Sequence, residues 1–220
     1  MMRGSWITFD CYGTLIDWNT GIRKGLRAAA PGASDGQVAA MAAEYEALEQ
    51  ELERDTYRPY PAIQKAVTLA LLTRHGFPPP ANPRILTETL PQWGPFAEVP
   101  AVLRRLKAAG YRLGILSNID RGLIGSSLEK LPVTFDIVIT AEDVESYKPA
   151  PAHWTRFLRA TGAKPEEVFH VAQGLIYDIG TASELGFRTV WINRRGEAPG
   201  SIRADYTTDS LEGVLRVIPA

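Results

Sequence analysis

Apolar residues in this chain fall into short, almost unbroken runs, and helical stretches separate them. Such runs predict strands buried on both faces, the habit of a parallel sheet covered by helices. Strands are expected over Trp6 to Phe9, ending at Asp10, and over Arg112 to Ser117, Phe135 to Thr140, Val168 to Ala172 and Arg188 to Ile192. Helices are expected over Ala101 to Ala109, stopped by Gly110, and over Arg121 to Leu131, Pro151 to Thr161 and Tyr177 to Leu185.

Between the first two strands the pattern changes. Gln37 to Arg54 lacks a strand signal and is rich in Ala, Glu and Leu, all good helix formers. Ala62 to Arg74 is a second helical stretch, closed by His75-Gly76. A proline-rich break over Phe77 to Pro83 follows, then a short helical piece near Ile85 to Leu90. Trp93-Gly94-Pro95 has the composition of a return hinge. Residues 18–96 therefore read as a helical cap inserted into a core made of residues 1–17 and 97–220. A lid of that kind closes over the C-terminal strand ends, where open α/β sheets bind ligands.

Composition narrows the class. The chain has 220 residues, 45% hydrophobic and 22% charged, enough for one sizeable domain with a smaller insertion. A formal net charge of -1 supplies no basic field, so neither nucleic acid nor an anionic membrane is an expected partner. A single cysteine forms no internal disulfide, which suits a reducing cytoplasm. The N-terminus lacks a long apolar leader, and no window approaches the roughly 18 apolar residues of a membrane span.

Candidate chemistry gathers at the strand ends. Asp10-Cys11-Tyr12-Gly13-Thr14, Ser117-Asn118, Lys148-Pro149 and Asp178 stand at or just beyond them, and a parallel sheet converges such ends on one crevice. A carboxylate is a competent nucleophile when a cation keeps it ionised and oriented. Lys148 supplies that charge beside Asp10, while Thr14, Ser117 and Asn118 can orient substrate or stabilise negative charge. Each has a plainer reading as well: a turn aspartate, a capping pair, a solvated lysine, a first-turn helix aspartate. Their joint occurrence favours the site.

These segments resemble the haloacid dehalogenase superfamily, in order and over most of the chain. FDCYGTLID (residues 9–17) is similar to that family's first motif, ILSN (115–118) to the second, YKPAP (147–151) to the third and VAQGLIYDIGTASELGF (171–187) to the fourth. The resemblance implies a Rossmann-like core with a helical cap after the first strand. It also implies a covalent aspartyl intermediate on Asp10.

Within the superfamily, the phosphatase branch carries a second Asp two residues after the nucleophile, as acid for the leaving alkoxide. Here that position is Tyr12, and a phenol with a pKa of about 10 is a weak acid for the task. Halide leaves without a proton, and the L-2-haloacid dehalogenases carry Tyr there. The resemblance thus favours hydrolytic dehalogenation of a small 2-haloacid, with no cofactor. A Mg²⁺-dependent phosphatase is the alternative, its metal held by Asp10, the Tyr12 carbonyl and Asp178. A lapsed fold used for binding is a third reading. Two departures motivate it: AAMAAEYEALEQ (39–50) lacks the family's cap arginine, and Gln173-Gly174-Leu175 replaces a Ser-Ser-Asn.

Candidate substrate contacts are Cys11, Tyr12, Gln173 and Trp154, with Arg58 (or Arg54) standing in for the cap arginine; packing is the competing role for Cys11, Tyr12 and Trp154. Trp18 is a further candidate at the cap entrance. His75, His153 and His170 lack metal-ligand spacing and read as structural or surface residues. The run Glu49 to Arg54 reads as a solvated helix face. A homodimer is allowed by apolar cap helices and by the habit of related dehalogenases.

Overall fold

Each expected apolar run becomes a strand of one parallel sheet. The computed structural model describes residues 5–54 and 56–218; the leader reading at Met1 to Gly4 lies outside them. β1 (Trp6–Phe9), β2 (Arg112–Ser117), β3 (Ile137–Thr140), β4 (Phe169–Ala172), β5 (Arg188–Ile192) and β6 (Tyr206–Thr208) stand in the order β3-β2-β1-β4-β5-β6. Every neighbouring pair is parallel. The order reverses at β1, the doubly wound topology whose crevice opens beyond the strand ends at that reversal.

The sheet is covered on both faces, which is why its strands are nearly all apolar. On one face Ile7, Phe9, Leu113, Ile115 and Val171 pack with Val102, Leu103 and Leu106 of a helix at Val99–Ala108. On the other, Leu116 and Ile139 pack with Trp154 and Phe157 of a helix at Ala152–Thr161. Parallel register levels the strand ends: Phe9 stands beside both Ile115 and Val171. Asp10, Ser117 and Gln173 therefore emerge at nearly one height.

Four helices and a short 3₁₀ turn fill the interval between β1 and the Val99–Ala108 helix. They are α1 (Trp18–Ala29), α2 (Asp35–Glu53), α3 (Tyr60–Arg74) and α4 (Ile85–Thr89). α2 starts on a capping box, in which Gln37 N–H donates to Ser34 Oγ at 3.3 Å and Ser34 N–H to Gln37 Oε1 at 2.9 Å. Its apolar face, Val38, Met41, Tyr45 and Leu48, is buried. The chain leaving β1 and the chain returning to the sheet run side by side: Asp17 N–H donates to Gly94 O at 2.8 Å and Phe96 N–H to Leu15 O at 3.1 Å.

Several boundaries differ from expectation. α1 is a helix the pattern did not signal, because Gly21 and Gly25 dilute it; both glycines are needed for close packing. A Cβ on Gly21 would lie 2.3 Å from the Trp93 ring, so the helix can approach only without one. The third strand starts two residues late, since the Asp136 carboxylate accepts from Leu113 N–H at 2.8 Å in place of a ladder bond. The helix expected to reach Leu131 ends at Leu128. Tyr177 to Leu185 is a π-helix at Leu175–Gly180 followed by a short α-helix at Thr181–Glu184. β6 was not expected, being three residues on a sheet edge. Among the described residues no helix is long and apolar enough to cross a membrane.

Candidate active site

The turn after β1 carries the central carboxylate. Asp10 N–H donates to Val171 O at 3.1 Å, continuing the sheet by one residue. The chain then folds back on itself, with Leu15 and Ile16 N–H both reaching Cys11 O. Gly13 sits at φ 92°, a left-handed conformation that a side chain disfavours, and a Cβ there would stand 2.9 Å from Gln173 Oε1. This tight turn aims Thr14 back at its neighbour: Thr14 Oγ1 donates to Asp10 Oδ2 at 2.9 Å and accepts from Gln173 N–H at 2.9 Å.

Lys148 joins two carboxylates. Its Nζ donates to Asp10 Oδ1 at 2.9 Å, to Asp178 Oδ1 at 2.6 Å and to Leu116 O at 3.1 Å, so all three hydrogens have acceptors. All three side chains are buried. Burial pulls the Lys148 ammonium down, but the two carboxylates outweigh it and the net shift is upward. Burial also opposes the charge on Asp178, yet Lys148 and His170 prevail and hold it below the usual carboxylate range. Asp10 goes the other way: desolvation exceeds the pull of Lys148, and Asp178 adds to the rise. One cation is shared by two anions, and Asp178 holds the larger part of it.

Two elements position this triad. Asn118, just beyond β2, accepts from Lys148 N–H at 2.8 Å through Oδ1 and donates to Lys148 O at 3.3 Å through Nδ2. His170 in β4 faces Asp178 Oδ1 with Nε2 at 3.1 Å and Thr8 Oγ1 with Nδ1 at 2.9 Å. A carboxylate only accepts, so Nε2 carries a hydrogen toward Asp178, and the Thr8 hydroxyl also lies 3.3 Å from Phe169 O. His153 meets Ser117 O through Nε2 at 3.2 Å; burial, then Lys148, lowers its pKa to about 3, which keeps it neutral. The π-helix lets Asp178 reach in, and Gly174 gives it room: a Cβ there would lie 2.6 Å from Asp178 Oδ2.

A cleft opens above the triad, between the strand ends and α2. Asp10, Tyr12, Ser117, Asn118, Lys148, Gln173 and Asp178 line it from below. Ser117 Oγ is buried without a hydrogen-bond partner. Tyr12 is held by Ser127 Oγ at 3.0 Å, and burial pushes its phenol well above the ordinary value. The structure does not bring the remaining candidates to the cleft. Cys11 is in the core. Trp154 is fully buried edge-on to the His170 ring, with centroids 5.4 Å apart. Arg58 turns its guanidinium to Leu52 O at 3.1 Å, and Arg54 is exposed outside the lining. The backbone after α2 does stay beside the strand ends, where Tyr147 Oη donates to Arg58 O at 2.7 Å and Tyr60 N–H to Asp120 Oδ1 at 3.0 Å, but neither arginine turns its guanidinium into the cleft.

Trp18, a candidate at the cap entrance, lines the cleft. Glu46, Glu49, Gln50, Glu53, Tyr60, Tyr177 and Arg195 line it too and were not anticipated. The run Glu49 to Arg54 is therefore not a uniformly solvated face. Glu51 and Arg54 are exposed, whereas Glu49 and Glu53 are partly buried and face inward. Helical spacing was the available signal: positions 46, 49, 50 and 53 share one side of a helix, next to its apolar side. His170 was signalled by a polar residue inside an otherwise apolar strand. Arg195 lies in a loop with no pattern to mark it.

A family model described as haloacid dehalogenase-like hydrolase matches residues 5–186. The (S)-2-haloacid dehalogenase 4A of Burkholderia cepacia is 29% identical over 197 residues, covering 87% of this chain and 84% of that protein. The pyrophosphatase PpaX of Bacillus mycoides is 30% identical over 128 residues, 56% of this chain and 59% of its own. The crystal structure of the L-2-haloacid dehalogenase RSc1362 superposes over 100% of both chains with a TM-score of 0.88 at 24% identity, a likeness of fold. The extent of the family match, which spans Asp10, Lys148 and Asp178, places this chain among the haloacid dehalogenase-like hydrolases.

Proposed function

We propose that the chain hydrolyses the carbon–halogen bond of a small 2-haloacid through a covalent ester on Asp10. The observation that carries this reading is Lys148 Nζ, bonded at once to Asp10 Oδ1 and Asp178 Oδ1. The lysine offsets part of the burial penalty on the Asp10 anion and fixes the carboxylate plane, and Thr14 fixes the other oxygen. Asp10 attacks the halogen-bearing carbon, halide departs from the opposite side, and the carbon inverts. Water then attacks the ester carbonyl, with the ionised Asp178 at hand to take its proton. Asp178 passes that proton to the departing alkoxide, the hydroxy product leaves, and Asp10 is regenerated as a carboxylate by losing a proton to solvent. Ser117 Oγ is the polar group that meets the substrate at this end, while Asn118 holds the Lys148 backbone.

Tyr12 supports halide over alkoxide as the leaving group. Its hydroxyl is tied to Ser127 and its pKa is raised, so it is a poor proton donor for an ester oxygen. Asp10 and Asp178 both give an oxygen to Lys148, and Thr14 holds the other Asp10 oxygen, which supports the metal-free reading over one in which Asp10, the Tyr12 carbonyl and Asp178 would hold Mg²⁺. Residues 18–96 act as a lid on a core of residues 1–17 and 97–220, a division supported by the paired backbone bonds at Asp17–Gly94 and Phe96–Leu15.

Assays of 2-chloropropionate and p-nitrophenyl phosphate, each with and without Mg²⁺, test the reading. Halide release without metal, absent in Asp10→Ala, is the expected result. Metal-dependent phosphate release with no halide release overturns it. A single turnover in H₂¹⁸O with enzyme in excess places the heavy oxygen in Asp10 if the ester forms, and in the product if water attacks the substrate directly.

A further inference from the structure

α2 presents a carboxylate stripe to the cleft, and nothing in the chemistry above uses it. Glu46, Glu49, Gln50 and Glu53 line the upper wall over about 10 Å of helix, at 1.5 Å per residue. Five carboxylate side chains line the cleft, Asp10, Glu46, Glu49, Glu53 and Asp178, against two cations, Lys148 and Arg195. Both cations are already engaged. Lys148 holds Asp10 and Asp178, and Arg195 Nη1 lies 2.7 Å from Glu46 and 3.4 Å from Glu197. Glu49 accepts from Tyr60 Oη at 2.7 Å and Glu53 from Asn118 Nδ2 at 3.0 Å, but neither has an ion-pair partner among the described residues. Burial raises the pKa of both.

A substrate whose only charge is a carboxylate finds no unengaged cation here, and every ionisable side chain on the α2 wall is acidic. A positive group finds two partly buried carboxyl groups without a counter-ion, and its own charge favours their ionised form. The carboxylates are too dispersed for a bare metal ion, since no group of three forms a metal-ligand set among the described residues. An organic cation is large enough to span them. The rings of Trp18, Tyr60 and Tyr177 stand in the same lining, and aromatic rings favour an ammonium over a hydrated metal. Ser117 Oγ, buried and unpartnered, waits below for a polar group on the occupant.

We propose that the substrate carries an ammonium group, held between Glu49 and Glu53 of α2 while its reacting end lies over Asp10. This deepens the reading of Asp10 as nucleophile and rests on it for the orientation alone. In the dehalogenase reading the substrate is an amino-substituted 2-haloacid, a zwitterion rather than a simple anion.

The test reads binding, which does not depend on the nucleophile. Butylammonium and butyrate are titrated calorimetrically into the wild type and into Glu49→Gln and Glu53→Gln at fixed ionic strength. Butylammonium binds the wild type, butyrate does not compete with it, and each substitution weakens it about tenfold or more, the loss expected for one charge-assisted contact. Thermal melting of both variants confirms that they fold. Tighter binding of butyrate, no binding of butylammonium, or binding that both variants leave unchanged overturns the proposal. So does displacement of butylammonium by Mg²⁺ alone. Halide release from 4-amino-2-chlorobutanoate against 2-chloropropionate, with spontaneous release subtracted, gives the second arm: a higher kcat/KM for the amine is expected, and a lower one overturns the assignment. If the ¹⁸O experiment fails while butylammonium binds, the nucleophile is wrong and the ammonium site stands.

Discussion

The Glu53 carboxylate on α2 accepts a hydrogen bond of 3.0 Å from Asn118 Nδ2 at the end of β2. The same amide takes Lys148 N–H on its Oδ1 at 2.8 Å. One side chain therefore connects the inserted helix, the sheet and the backbone of the buried lysine. The contact ties α2 to the residue whose ammonium pairs with Asp10.

Lys148→Met removes the cation from a pocket with two buried carboxylates. Breaking a buried ion pair from one side costs about 3–5 kcal/mol, because the partners remain without compensation. The variant is expected to lose activity and to unfold at lower urea. Its deficit should shrink as pH falls, since Asp10 and Asp178 can then neutralise by protonation. Urea titrations at neutral and acidic pH check this, and a deficit that grows toward acid contradicts the assigned geometry.

Glu49 makes stability depend on pH in the opposite sense to Asp178. Burial raises its pKa from 4.5 to about 7 in the fold. Its contribution is complete below the unfolded value and is lost as pH rises through about 7. The shift corresponds to roughly 3 kcal/mol at most. Asp178 has a lowered pKa, so its contribution is present above about 3.9 and is lost as pH falls through the depressed folded value. Unfolding free energy should therefore decline as pH rises from about 5 to 8, and Glu49→Gln should reduce the slope. An unchanged slope places the titration elsewhere.

Tyr12→Phe tests the leaving group. The hydroxyl it removes bonds Ser127, so a stability loss of about 1 kcal/mol is expected from the stranded partner. Because halide needs no proton, kcat for halide release should change by less than about threefold. A fall of a hundredfold or more would mean that the phenol takes part in chemistry.

Gly21→Ala tests the packing of α1. The new Cβ meets the Trp93 ring at 2.3 to 2.6 Å, closer than any real contact, and the ring is buried. Overpacking of this kind costs about 1–3 kcal/mol. Melting temperature should fall while Glu49→Gln at the cleft leaves this contact unaffected, and additivity of the two changes is expected because they share no partner.

Local pattern carried much of the core. β1, β2 and β5 lie over the expected residues, because a strand covered on both faces must be apolar throughout and the run records its length. Asp10, Ser117 and Asn118 could be named because each stands at the end of a strand, and a parallel sheet brings such ends together; Lys148 and Asp178 lie farther on, past the Ala141–Val144 helix and within Leu175–Gly180, and were marked by the resemblance of their motifs. α1 escaped because glycines required by close packing look like breaks, and β6 because three edge residues have too few neighbours to impose a pattern.

Which groups are paired was decided only in three dimensions. His170 reads as an isolated histidine until β4 sets it beside Asp178, and Glu49 and Glu53 read as solvent-facing until α2 is laid over the strand ends. Arg58 has the right charge and the wrong direction. Burial and pairing depend on separations between segments distant in sequence, such as the 138 positions between Asp10 and Lys148. The chain alone dictated which chemical groups would reach the sheet's crevice from its strands. Packing across that crevice settled their charge states and what faces them from the other side, because desolvation and Coulomb energy act through space.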